Sequence, residues 1–165
     1  MSLKKIISGY TRYNHWANEK MTQWLQTLDI NLLYQETPSS FASIDLTVQH
    51  MNRAQNFWLA VITGEDLSKL DETIKLNAFA MSMDNLLAGS QRMLDTFEAY
   101  SEKDLLQQLS STDMVQPRYE YILHMINHNS YHRGRGQIVT MSRCLGVTDK
   151  VPSMDYDAFL WTEYR

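Results

Sequence analysis

Three histidines of this 165-residue chain stand at a strict spacing of four, in the run His124-Met-Ile-Asn-His128-Asn-Ser-Tyr-His132-Arg-Gly. Four residues is about one helical turn, so on a helix the three imidazoles project from one stripe, roughly 6 Å apart along the axis. Adjacent members of such a stripe can chelate one metal ion, because side chains at i and i+4 meet over the same patch of helix surface. The outer two lie about 12 Å apart and cannot share an ion. A metal would therefore take two ligands here, His124 with His128 or His128 with His132, and the rest from elsewhere in the chain. His50 is the candidate third ligand. Glu120, one turn before His124, extends the stripe, either as a partner that orients an imidazole or as a first-turn charge favoured by the helix dipole. His15 reads as an ordinary hydrogen-bonded helix histidine. The single cysteine, Cys144, excludes an internal disulfide and a thiolate-rich zinc site alike, which leaves histidine as the main ligand type.

Helices must position these residues, and the apolar periodicity supplies them. Leu3, Ile6, Ile7, Tyr10, Tyr13, Ala17, Met21, Trp24, Leu25 and Leu28 recur at three and four, which predicts a first helix from Leu3 to Leu28. Ser43 is placed to cap a second helix that runs to Thr63 and closes at Gly64, with His50 inside it. Residues 65–80 are polar and mixed and read as a long connection. Ser82 reads as the cap of a third helix, Met83 to Tyr100. A short hairpin is expected within Lys103–Gln116, and Pro117 suits the first turn of a fourth helix running to Leu145 and ending at Gly146. Ser153 is expected to cap a last short helix reaching Tyr164. Gly134 and Gly136 inside the fourth helix should each cost about 1 kcal/mol relative to alanine. Close approach of a neighbouring helix or ligand would compensate, or else the helix kinks there. The pattern describes one domain, residues 1–165, of all-α class: a four-helix bundle with a short extra C-terminal helix. In such folds metal sites are built from inward-facing side chains of different helices.

Composition narrows the function. A formal charge of −4 without any basic block argues against nucleic-acid or anionic-membrane partners, since Arg133 and Arg135 are too few to make a patch. No window approaches the roughly 18 apolar residues of a membrane span, and the first residues lack the apolar core of a signal peptide. A cytoplasmic protein is the expectation. Asn14, Trp16 and Asn18 on the first helix are candidates for a pocket mouth.

The chain resembles the DinB/YfiT-like superfamily of bacterial four-helix-bundle metalloproteins over nearly its whole length. The resemblance is carried by Tyr13-Asn14-His-Trp16-Ala17-Asn18, by Ser43-Ile-Asp-Leu-Thr-Val-Gln-His50 leading to Trp58 and Gly64, and most specifically by His128-Asn-Ser-Tyr-His132-Arg133-Gly134. It implies an up-down-down-up bundle whose divalent metal, zinc or nickel with iron as a further candidate, is held by His50, His128 and His132. It further implies an enzyme that works with a low-molecular-weight thiol in an S-transferase reaction on a small molecule, and a homodimer. The alternatives are a metal-dependent hydrolase that activates water and a non-catalytic structural metal. Two positions depart from the family pattern. Gln55 stands where an acidic residue is common, and the usual glutamine is displaced by two residues to Gln137, which on a continuous helix faces elsewhere and is assigned no catalytic role.

Overall fold

The computed structural model describes residues 2–70, 79–111, 114–134 and 137–163. Helix α1, Leu3–Leu25, starts where the Ser2 side chain accepts the Lys5 N–H, and it ends three residues short of the predicted Leu28. Asp29 caps a five-residue helix, α2, Ile30–Tyr34, which buries Leu33 and was not anticipated. Helix α3, Ile44–Thr63, has the predicted ends: Ser43 Oγ accepts the Leu46 N–H, and Gly64 closes the helix at φ 76°, a left-handed conformation that glycine adopts without Cβ strain.

The third long helix, α4, Phe79–Ala99, begins before the expected cap. Ser82 lies inside it and is buried, so propensity for the N-cap position was overridden by a longer run of helix. The stretch expected to hold a hairpin opens with a short capped helix, α5, Glu102–Leu106, and an antiparallel pair of strands follows. Strands β1, Gln108–Ser111, and β2, Met114–Pro117, make up that hairpin, with Gln108 opposite Pro117. Helix α6, Arg118–Arg133, follows directly from Pro117.

The fourth long helix does not run on to Leu145. It stops at Arg133, the chain turns at Gly134, and a separate helix, α7, covers Ile138–Cys144. Of the two glycines, Gly134 is at the break, and Gly136 lies outside the described residues. Gly146 has φ 82° just beyond α7. The last helix, α8, Tyr156–Glu163, starts later than expected, and Ser153 donates to the Asp155 carboxylate rather than capping it.

Side-chain pairs fix the helix directions. Ser8 meets Glu98 and His15 meets Ser90, so α1 and α4 are antiparallel. Gln55 meets Leu86 and Glu65 meets Arg92, so α3 and α4 are parallel. Trp58 packs on Tyr121 and His50 on His128, so α3 and α6 are antiparallel. Asn14 bonds Asn129, and Asn18 bonds Arg133, which makes α1 and α6 parallel. The bundle is therefore up-down-down-up. A parallel α3–α4 pair cannot be joined by a tight turn, which accounts for the long polar stretch between them.

Two apolar clusters fill the bundle. One gathers Met21, Leu25, Leu33, Ile44, Val48, Met51 and Leu86 with Ile138 and Met141. The other gathers Ile7, Leu59, Ile62, Met93, Phe97, Ile122, Met125 and Ile126. Between them lies a belt of buried polar side chains, Asn14, Asn18, Asn52, Gln55, Ser90, Asn129, His132 and Arg133. A polar layer at mid-bundle contributes less to stability than an apolar one would, which points to a role other than packing. No described helix is long and apolar enough to cross a membrane.

Candidate metal centre

His50 projects from α3 toward α6, where the one-turn spacing brings His128 and His132 together on the facing stripe. One ring nitrogen from each of the three lies within 4.8 Å of the other two. His128 Nε2 is 3.1 Å from His50 Nε2 and 3.1 Å from His132 Nε2. These are the three residues that the resemblance names. His124, one turn earlier, is exposed and sets its ring against Trp58, with centroids 4.8 Å apart. His15 is held by Ser90 and faces Glu19, the ordinary role read for it.

Gln137 corrects the sequence reading. It is buried, and its Oε1 accepts a hydrogen bond from His132 Nδ1. Because an amide oxygen can only accept, Nδ1 carries the proton and Nε2 turns a lone pair toward the other two histidines. On an unbroken helix Gln137 would stand about 140° around the axis from His132. The break at Gly134 folds it back under the ring instead. Glu120 makes no such contact: it is exposed and interacts with Tyr119.

Burial, then the neighbouring His132 charge, pushes the His50 and His128 pKa values down to about 4. Burial lowers that of His132 as well. At neutral pH all three rings are therefore uncharged, the form in which imidazole binds metals. A single Nε2 offers either one proton or one lone pair, so His128 Nε2 can satisfy only one of its two close neighbours. A cation at the common focus satisfies all three. Two nitrogens at the usual 2.0–2.1 Å from a tetrahedral ion stand about 3.3 Å apart, close to the 3.1 Å of the His50–His128 and His128–His132 pairs. The donor set thus fits a divalent ion, and three nitrogen donors suit zinc, nickel, iron or copper alike.

Phe41 stacks on His50, centroids 4.3 Å apart, and reaches His132 at 5.9 Å. Exposed Tyr131 sets its ring edge-on to His132 at 5.2 Å. Beside them a cleft of about 180 Å³ is lined by Thr37, Ser39, Ser40, Tyr131, Gln137, Thr140 and Cys144 among others. Its described lining residues carry hydroxyls, an amide and a thiol but no charge.

On the side of α6 turned toward α1 the structure holds a buried charge. Arg133 is 2% exposed. Its guanidinium donates to Asn14 Oδ1 at 2.8 Å, Asn18 Oδ1 at 2.7 Å and Ser130 Oγ at 3.1 Å, and lies over the Tyr13 ring. Asn14 and Asn18, expected at a pocket mouth, are instead buried partners of this cation. The only available signal was their i, i+4 spacing on an otherwise apolar stripe. Gln55 is also in the belt, donating to the Leu86 carbonyl and accepting from Asn129. It approaches α4 where Gly89 leaves room: a Cβ there would collide with Gln55 Nε2.

An up-down-down-up bundle with one histidine from its second long helix and two from its fourth defines a class of helical proteins with a three-histidine site. The chain belongs to the DinB family, whose model matches residues 1–165. It is 30% identical over 159 residues to Protein DinB of Bacillus subtilis (strain 168), with 90% of each chain covered.

Proposed function

We propose that the protein is a metal-dependent transferase that uses a low-molecular-weight thiol, with a divalent ion held by His50, His128 and His132. When bound, the ion supplies a positive centre with no ligand charge to offset it, which favours a thiol entering as its thiolate. The observation that carries this reading is the composition of the site: three neutral imidazoles and, among the described residues, no carboxylate joining them. The outside charges acting on His50 and His128 are those of other histidines and of Arg53. A hydrolase commonly adds a carboxylate that orients or deprotonates the attacking water, and the position where the family often has an acid is Gln55, bonded to Leu86 and Asn129. A thiol loses its proton far more readily and needs no such base, so the transferase reading is favoured over the hydrolase.

The chain's own groups have plain tasks in this scheme. Gln137 holds the His132 proton on Nδ1. Phe41 covers the outer face of His50 and limits water. The hydroxyl-lined cleft beside Gln137 receives the uncharged part of a substrate. The test is spectroscopic: a small thiol added to cobalt-substituted protein should produce a sulfur-to-metal charge-transfer band, with affinity rising with pH until the thiol is ionised. The band should be missing in His132→Ala. A spectrum that no thiol perturbs but hydroxide does overturns the proposal in favour of hydrolysis, and a spectrum that neither perturbs indicates a structural metal.

A further inference from the structure

The polar belt contains a charge that the metal centre does not use. Arg133 is almost completely buried, yet its hydrogen-bond partners, the Asn14 and Asn18 amides and the Ser130 and Tyr13 hydroxyls, include no carboxylate. No ion pair to it occurs among the described residues. A buried cation compensated only by neutral dipoles is costly, and arginine normally meets a carboxylate or another oxyanion, often through two of its five N–H donors.

The same residue lies on the floor of a cleft of about 260 Å³ between the α6–α7 break and the segment before α8. Val139, Val151, Pro152 and Met154 give it an apolar side, and Ser130 and Ser153 also line it. The Tyr13 hydroxyl lines it too, donating to the Met154 carbonyl and so tying that wall to α1. At the exposed rim stands one acid, Asp155. This cleft shares no lining residue with the one beside Gln137.

The geometry points to a binding site for a short aliphatic carboxylate, with the carboxylate on the Arg133 guanidinium and the hydrocarbon against Val139, Val151 and Met154. The cationic floor selects the anionic head. The apolar walls select a hydrocarbon tail over inorganic phosphate or sulfate, which have nothing to bury there. Asp155 repels the incoming anion and sets the affinity low. The site is independent of the metal and of the reaction proposed above.

Isothermal titration of the full-length protein with acetate, butyrate, phosphate and chloride at constant ionic strength tests this. Saturable binding of butyrate is expected, about tenfold or more tighter than acetate, because each added methylene gains about fourfold on burial. Asp155→Asn should tighten butyrate roughly two- to fivefold by removing the rim charge. Val139→Phe, which fills the cleft without touching the guanidinium, should abolish binding and leave metal content unchanged. His50→Ala should still bind butyrate, which separates failure of this site from failure of the metal assignment. Butyrate binding no better than chloride in both the parent and Asp155→Asn overturns the proposal and leaves Arg133 as a clamp between α1 and α6. Butyrate binding that survives Val139→Phe overturns it as well, by placing the anion elsewhere.

Discussion

Replacing Gln137 by leucine removes the acceptor for the His132 Nδ1 proton while keeping the volume of a side chain that is 2% exposed. Two effects follow, and their sizes can be separated. In the metal-free protein a buried N–H is left without a partner, which costs about 1–3 kcal/mol. At this chain length that lowers Tm by roughly 2–4 °C per kcal/mol. With metal present, the ring is free to take the wrong tautomer or to rotate, and loss of such an outer partner typically weakens metal binding by about 10–100-fold, or about 1.4–2.7 kcal/mol. The partner here is a neutral amide rather than a carboxylate, so the lower end applies and about tenfold is expected. Zinc titration against a chromophoric chelator at pH 7 measures it, with Gln137→Glu as the control that keeps an acceptor and should bind at least as tightly as the parent. If Gln137→Leu stays within about twofold of the parent while His132→Ala loses zinc, packing alone aims His132 and the role assigned to Gln137 is wrong.

By elemental analysis, His50→Ala, His128→Ala and His132→Ala should each lose most bound metal and His124→Ala should keep it; an empty His124→Ala would shift the ligand register by one turn. The histidine pKa values set a pH dependence of known sign. In the unfolded chain His50 and His128 protonate near 6.5 but in the folded metal-free protein only near 4, so the unfolded state binds more protons in that window and stability falls as pH drops from about 6.5 to about 4. Thermal melts across that range should show it, and His50→Gln should flatten the slope. Gly89→Ala places a methyl group against Gln55 Nε2, and the buried amide must give way, for a loss of about 1–3 kcal/mol in urea denaturation; an unchanged midpoint would mean that Gln55 has room to move. Gly64→Ala, at φ 76°, should cost about 1 kcal/mol through left-handed strain.

Periodicity exposed what is periodic. The i, i+4 histidines, the Ser43 cap, the Gly64 stop and Pro117 at the start of α6 are local signals, and each marks a real boundary or face. The histidine stripe alone left two pairings open, because a helix surface is indifferent to which of its turns meets a neighbour; the resemblance and then the α3–α6 packing separate His124 from the other two. Gln137 stood outside the sequence reading because a single helix over Pro117–Leu145 carries it to another face, whereas the helix stops at Arg133 with Gly134 at its end. The glycine penalty left close packing and a kink open, and the helix end at Arg133 agrees with the second. Arg133 was misread because a lone arginine between polar residues looks like surface, and burial of a charge depends on partners 115 and 119 positions away in sequence. Helix α2 was passed over because five residues carry too little periodicity to register.

His132 and Arg133 are consecutive on α6 and so point about 100° apart around its axis, one toward α3 and the other into α1. Asn14 and Asn18 hold the second of these directions through two charge-assisted hydrogen bonds. These bonds help to fix the rotational phase of α6, and with it the direction of His128 and His132, from a helix outside the three-histidine cluster. A substitution at Asn14 or Asn18 would reach the His50–His128–His132 cluster from across the bundle, with all three histidines still in place.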